Sequence, residues 1–144
     1  MKSIETEIVI QAPAEQIWNV LTGFEDYSEW NPFITSIGGS LVQGKSLEVT
    51  MEIEPGKANT FNPLLLSVIP RKKICWRGKY LAKWIFQGTH YFILEKTDNG
   101  ETHFIHGETF SGIMVNNYMK RKGGMVREKF IALNKALKER AENN

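Results

Sequence analysis

The strongest constraint in this chain is a pair of strand-like runs, residues 85–96 and 101–112, separated by Asp98-Asn99-Gly100. Gly at the third loop position suits a three-residue hairpin, a type I turn closed by a residue at positive φ. That turn sets the register. Thr97 faces Glu101, Leu94 faces Phe104, Phe92 faces His106 and His90 faces Glu108. Side chains alternate along a strand, so one face carries Phe86, His90, Phe92, Leu94, Phe104, His106, Glu108 and Phe110. The other carries Gln87, Thr89, Tyr91, Ile93, His103, Ile105, Thr109 and Ser111. The first set holds the larger apolar groups and is placed inside. The opposite assignment stays open, because Ile93 and Ile105 are also apolar.

A long helix over about 115–141 answers the sheet. Val115, Met119, Val126, Phe130, Leu133 and Leu137 form one apolar stripe, and the other positions are mostly charged. Gly123-Gly124 interrupts the pattern, and each Gly costs ~1 kcal/mol against Ala in a helix interior. The pair predicts a kink or a split into two helices. The alternative is that it leaves room for a ligand beneath the helix.

The rest of the chain supplies short elements. Ile4, Thr6, Ile8 and Ile10 alternate as a half-buried strand. Pro13 and Glu15 mark a helix start, Ile17, Val20, Leu21 and Phe24 give that helix a core face, and Gly23 ends it. A second short helix or turn covers 24–29 and breaks at Trp30-Asn31-Pro32. Strands follow at about 33–40, 47–54, 60–69 and 73–80, with Pro63 marking an edge or a bulge in the fourth. Meandering strands with one terminal helix and no crossover helices give an antiparallel sheet with helices on one side. The expected architecture is therefore α+β: a curved antiparallel sheet of about six to seven strands wrapped around a long C-terminal helix.

At 144 residues the chain has the size of one domain, read as 1–144, and can bury a sizeable core. A formal net charge of +2 is too small to argue for nucleic acid. One cysteine, Cys75, rules out an internal disulfide, and no Cys/His set has zinc spacing. The start reads as a strand with acidic residues rather than a signal peptide, and no apolar run approaches the ~20 residues of a membrane span. A cytoplasmic protein without stable membrane insertion is expected. No glycine-rich phosphate loop, nucleophile elbow or P-loop occurs, so no cofactor is implied.

Three stretches carry a family resemblance. They are the strand-to-helix entry from Ile8 through Pro13 to Trp18, the segment Tyr27-Ser28-Glu29-Trp30-Asn31-Pro32-Phe33, and His90-Tyr91-Phe92 with Gly100-Glu101-Thr102 and His106-Gly107-Glu108-Thr109-Phe110-Ser111-Gly112. With the order of elements, they resemble the helix-grip superfamily that includes lipid-transfer START domains, plant pathogenesis-related allergens and polyketide cyclases. The nearest branch is the polyketide cyclase/dehydrase-like SRPBCC proteins. The resemblance covers the whole chain and implies a hydrophobic cavity between sheet and long helix. It implies no shared catalytic set, and the fold hosts binding, transfer, co-chaperone and catalytic roles.

The candidate site follows from the hairpin. His90, His106 and Glu108 would form the polar end of the cavity, with His90 and Glu108 directly cross-strand. They could anchor a polar ligand head or move a proton. The plainer reading is a structural cluster whose members satisfy one another. Two His and one Glu suit facial-triad metal chemistry, but strand neighbours rarely supply that geometry, so no metal is expected. The candidate walls are Trp30, Phe61, Trp76, Phe86, Phe92, Phe104, Phe110, Met119, Val126 and Phe130. For Trp30 the plainer reading is filled core, and Phe61 and Trp76 read as core or cavity wall rather than specific contacts. Leu81-Ala82-Lys83-Trp84-Ile85 and Ile113-Met114-Val115 suit a portal for a hydrophobic ligand or loops tucked onto the core. Arg71, Lys72, Lys73, Arg77, Lys79 and Lys83 form a basic stretch, read first as a solvated strand.

The expected partner is a small hydrophobic or amphipathic molecule such as a lipid, polyketide-like aromatic or isoprenoid. A cyclase or dehydratase using the His/Glu cluster and a co-chaperone-like module with a protein partner are the alternatives.

Overall fold

The hairpin that dominates the sequence is the centre of the structure, a computed structural model that describes residues 1–80 and 85–143, with only the backbone described at Tyr80. In chain order the elements are β1 (Lys2–Ile10), α1 (Ala14–Thr22), a single 3-10 turn (Phe24–Asp26), α2 (Tyr27–Trp30), β2 (Ile34–Gly38), β3 (Glu48–Glu54), β4 (Lys57–Phe61), β5 (Leu64–Ile69), β6 (Lys73–Tyr80), β7 (Phe86–Lys96), β8 (Thr102–Ser111) and α3 (Val115–Glu142). β7 and β8 pair in the expected register, with Leu94 opposite Phe104, Phe92 opposite His106 and His90 opposite Glu108. The turn closes with Gly100 at φ 76° and the Thr97 N–H on the Glu101 carbonyl.

Five strands form an antiparallel curved sheet in the order β1-β8-β7-β6-β5, and β2-β3-β4 form a second sheet. The run read as one strand over 60–69 is two strands, one in each sheet. Pro63 has no N–H to continue a ladder, and the chain changes sheets there. The break is stitched by backbone bonds from Leu47 N–H to the Pro63 carbonyl and from Leu65 N–H to the Lys45 carbonyl, both 2.9 Å. Among the described residues the grip has eight strands, five in the curved sheet and three in the second.

α3 packs on β1, β8, β3 and α1. It runs unbroken through Gly123 and Gly124, so the expected split does not occur. A methyl group at Gly123 would meet only the Met119 side chain, and one at Gly124 would meet nothing within 4 Å. The two halves of the helix differ in burial. Phe130, Leu133, Leu137 and Ala141 are wholly buried, whereas Val115 and Val126 are the only buried positions before Phe130. No described helix is long and apolar enough to cross a membrane.

The inner sheet face is the expected one. His90, Phe92, Leu94, Phe104, His106 and Phe110 are all buried, while Tyr91, Ile93, His103 and Ile105 are only half-buried. Tyr91 lies on the outer face across Gly107, where a side chain would collide with the phenol, and its hydroxyl donates to Glu5 (2.6 Å). Burial and the neighbouring carboxylate push the Tyr91 pKa up.

Candidate functional site

Two inward-facing strand positions carry no side chain. β6 points Ile74 and Trp76 inward, and the next inward residue is Gly78. β7 points Phe86 and His90 inward, and between them lies Gly88. Gly78 and Gly88 are cross-strand partners, so the sheet is bare at one place. A cavity of about 460 Å³ opens above it. Phe61 lies over Gly78, its ring 3.2 Å from where a β-carbon would sit. The Glu108 carboxylate lies over Gly88, where a β-carbon would come within 2.2 Å of Oε2. Only glycine lets that carboxylate lie flat on the sheet at this point.

The walls are Phe33, Met51, Ile53, Phe61, Trp76, Phe86, Phe110, Tyr118 and Val126. Phe86 packs edge-on against Phe110 and Tyr118, with ring centroids 5.8 and 4.7 Å apart. Glu54, Lys57, Lys79 and Lys122 also border the space. Glu54 pairs with Lys57 (3.1 Å) and with Lys122, tying the β3–β4 hairpin to α3. Among the described residues Lys79 has no ion-pair partner.

Of the residues expected from sequence, Phe61, Trp76, Phe86, Phe110, Val126 and Glu108 line the cavity. Phe92, Phe104 and Phe130 lie instead in solid core. Met119 is half-buried beneath Gly123, and Trp30 stacks edge-on against Tyr27 in a separate small cleft with Arg140. His90 and His106 sit behind the cavity wall. His90 is stacked on Trp76 (5.2 Å, 21°), and His106 on Phe130 (4.1 Å, 13°). The 81–84 part of the first expected portal lies outside the described residues. In the second, Ile113 and Met114 are exposed and Val115 is buried.

The polar residues form a relay running from the cavity into the core. Glu108 Oε1 is 3.2 Å from His90 Nδ1. His90 Nε2 is 2.8 Å from His106 Nε2. His106 Nδ1 is 3.0 Å from Asn134 Oδ1, Asn134 Nδ2 donates to Thr6 Oγ1 (2.8 Å), and the Thr6 hydroxyl donates to the His106 carbonyl (3.0 Å). Burial holds the His106 pKa well below the ordinary histidine value, and the adjacent His90 acts in the same sense. His106 is therefore a neutral imidazole. Glu108, at 18% side-chain exposure, is the relay's one member on the cavity. The two imidazole Nε2 atoms face each other at hydrogen-bond distance, 2.8 Å, which leaves no room for an ion between them. Among the described residues no group of three or more His, Cys, Asp or Glu side chains is arranged to hold a metal.

Sequence reading missed the glycine pair and the anchors Asn134 and Thr6. Each has a signal. Gly78 and Gly88 interrupt inward apolar alternation, Thr6 is the polar member of Ile4, Thr6, Ile8, Ile10, and Asn134 falls on the stripe of Phe130 and Leu137.

A family model described as polyketide cyclase / dehydrase and lipid transport matches residues 1–142. Similar folds occur in a protein from Mesorhizobium loti (16% identity, 99% of this chain and 98% of that one, TM-score 0.77). They occur also in the Zhui aromatase/cyclase of a Streptomyces species (17%, 98% and 93%, TM-score 0.78) and in a START superfamily protein from Mycobacterium smegmatis (20%, 98% and 97%, TM-score 0.71). No curated protein matches the sequence.

Proposed function

Because the chain belongs to the polyketide cyclase / dehydrase and lipid transport family, we propose that it reversibly binds a small, mainly apolar molecule above Gly78 and Gly88. One observation carries this reading: a space of about 460 Å³ with aromatic and aliphatic walls opens over the inner face of the sheet. That volume is within the range of small-molecule sites, which are largely apolar with a few polar groups that fix orientation. Glu108 is the polar group on the floor, and Lys57, Lys79, Lys122 and Glu54 mark the rim. A lipid, a polyketide-like aromatic or an isoprenoid each fits this description.

Native mass spectrometry of the protein purified from its source organism, followed by solvent extraction, tests the reading. A stoichiometric apolar adduct is expected. A clean unliganded mass, together with failure of any apolar probe to bind, would overturn it.

A second reading draws on the hydrogen bond between Glu108 and His90. A carboxyl group on the cavity backed by imidazole could exchange a proton with a bound ligand. In that case Glu108→Gln would abolish turnover of the bound molecule while leaving binding intact. Equal turnover by the variant would remove this reading.

A further inference from the structure

The relay behind the cavity has a direction, and that direction reaches the ligand. Its anchored end is Thr6. The single hydroxyl proton of Thr6 goes to the His106 carbonyl, so its oxygen accepts from Asn134 Nδ2. This turns Asn134 Oδ1, which can only accept, onto His106 Nδ1. His106 Nδ1 therefore carries the proton. Since the ring is neutral, its Nε2 is bare and accepts from His90 Nε2–H.

The contact between His90 Nδ1 and Glu108 Oε1 has room for at most one proton, and without one both Glu108 oxygens accept. If a proton sits on His90, Glu108 is a carboxylate and both its oxygens accept. If it sits on Glu108, it must be on Oε1, pointing at the bare His90 Nδ1, and Oε2 is a carbonyl oxygen. In every case Oε2 accepts. Oε2 is the oxygen that lies over Gly88 on the cavity floor, and among the described residues it has no hydrogen-bond partner. Reversing the relay would change this for a protonated Glu108. With His90 Nδ1–H donating to Oε1, a protonated Glu108 would carry its hydrogen on Oε2 and donate it to the cavity.

We propose that the cavity selects apolar ligands bearing a hydrogen-bond donor, an alcohol, phenol or enol hydroxyl, over their carbonyl counterparts, because Thr6, Asn134, His106 and His90 hold Glu108 Oε2 as an obligate acceptor. The proposal rests on the binding reading above and adds the polarity of the recognised group. Thr6 and Asn134 become specificity-determining residues although neither lines the cavity. An acceptor facing Oε2 leaves both oxygens desolvated and unpaired, which is costly in a buried site. A site that hydrogen-bonds a hydroxyl discriminates strongly against analogues without one.

The test uses three rigid tricyclic probes of one shape: 9-fluorenol, 9-fluorenone and fluorene. Titration calorimetry of the whole protein should give fluorenol about tenfold or more tighter than fluorenone. Thr6→Val keeps the shape of the strand residue but frees Asn134 to turn. It should bring the alcohol-to-ketone ratio to within about threefold and leave fluorene affinity unchanged, while Thr6→Ser keeps the full ratio. Fluorenone binding as tightly as fluorenol to the unaltered protein overturns the polarity while leaving the binding reading in place. Failure of all three probes to bind, together with a clean unliganded mass, removes the binding reading and the proposal with it. A full ratio in Thr6→Val overturns the relay as its cause. If Thr6→Val does not fold, 15N-histidine NMR of the unaltered protein decides the matter. Hydrogen on His106 Nδ1 and His90 Nε2 supports the relay, and hydrogen on His106 Nε2 overturns it.

Discussion

The inner face of the β7–β8 hairpin has two ends that were built differently from the same strands. At one end Phe92, Leu94, Phe104 and His106 meet Phe130, Leu133 and Leu137, every one of them buried. At the other, Phe86 and Phe110 flank the bare patch of Gly78 and Gly88, and the helix above contributes Tyr118, Lys122 and Val126. One end is closed by side chains, the other is left open by their omission. The division follows α3, whose second half is driven into the sheet while its first half stands over the cavity. On the proposed binding reading, stability and binding fall to neighbouring parts of one sheet, with the Glu108–His90 contact at the boundary.

Substitutions at the two ends should separate those roles. The largest effect belongs to the packed end. Phe130→Ala removes a wholly buried ring stacked on His106 and should cost about 3–5 kcal/mol in denaturant unfolding. A loss under about 1 kcal/mol would mean that the packed end is no firmer than the open one.

The next effect is one of pH and also belongs to the packed end. His106 has a folded pKa below its unfolded value, so the unfolded chain binds the extra proton first. The stability contributed by neutral His106 is therefore complete above about pH 6.5 and falls as the pH drops below that. The slope is about 1.4 kcal/mol per pH unit for one proton. Urea titrations across this range should show the loss, and His106→Leu, less stable at neutral pH, should flatten that limb. An unchanged slope in the variant would mean that another group is responsible.

The smallest stability effect is expected at the open end. Gly88→Ala places a methyl group where Glu108 Oε2 lies, and a flexible carboxylate can move. Because Ala also favours strand over Gly, stability should change by less than about 1 kcal/mol. Selectivity between fluorenol and fluorenone should nevertheless weaken, because the acceptor is displaced. A large destabilisation would show that this end is packed after all.

How far the sequence disclosed this arrangement depended on how tightly each connection fixes a register. The β7–β8 turn is a three-residue loop, so the pairing of His90 with Glu108 and the inner face could be derived residue by residue. The sequence between β6 and β7 carries no turn signal comparable to Asp98-Asn99-Gly100, so nothing local made Gly78 and Gly88 neighbours. Without that pairing the expected cavity extended from Phe86, Phe110 and Glu108 on to His90, Phe92, Phe104 and His106, and over these last four the structure is packed. Pro63 was recognised as a defect, but that the defect moves the chain to a second sheet depends on long-range bonds to Lys45 and Leu47. The Gly123-Gly124 pair misled for a related reason. Its propensity cost is local, whereas the packing that keeps α3 continuous comes from Val126, Phe130 and Leu133 beyond it.

The central claim is that the missing side chains at Gly78 and Gly88 create the binding space. The most direct measurement is the affinity of fluorene for the unaltered protein and for Gly78→Leu, with unfolding by urea followed in parallel. Leucine at 78 would project into the cavity beside the Phe61 ring. The account predicts at least about a tenfold loss of fluorene affinity in a protein that still folds, because the new side chain takes cavity space and the Phe61 ring, 3.2 Å from its β-carbon, must shift to admit it. Undiminished affinity in a folded Gly78→Leu protein would contradict it, because the ligand would then have to bind elsewhere.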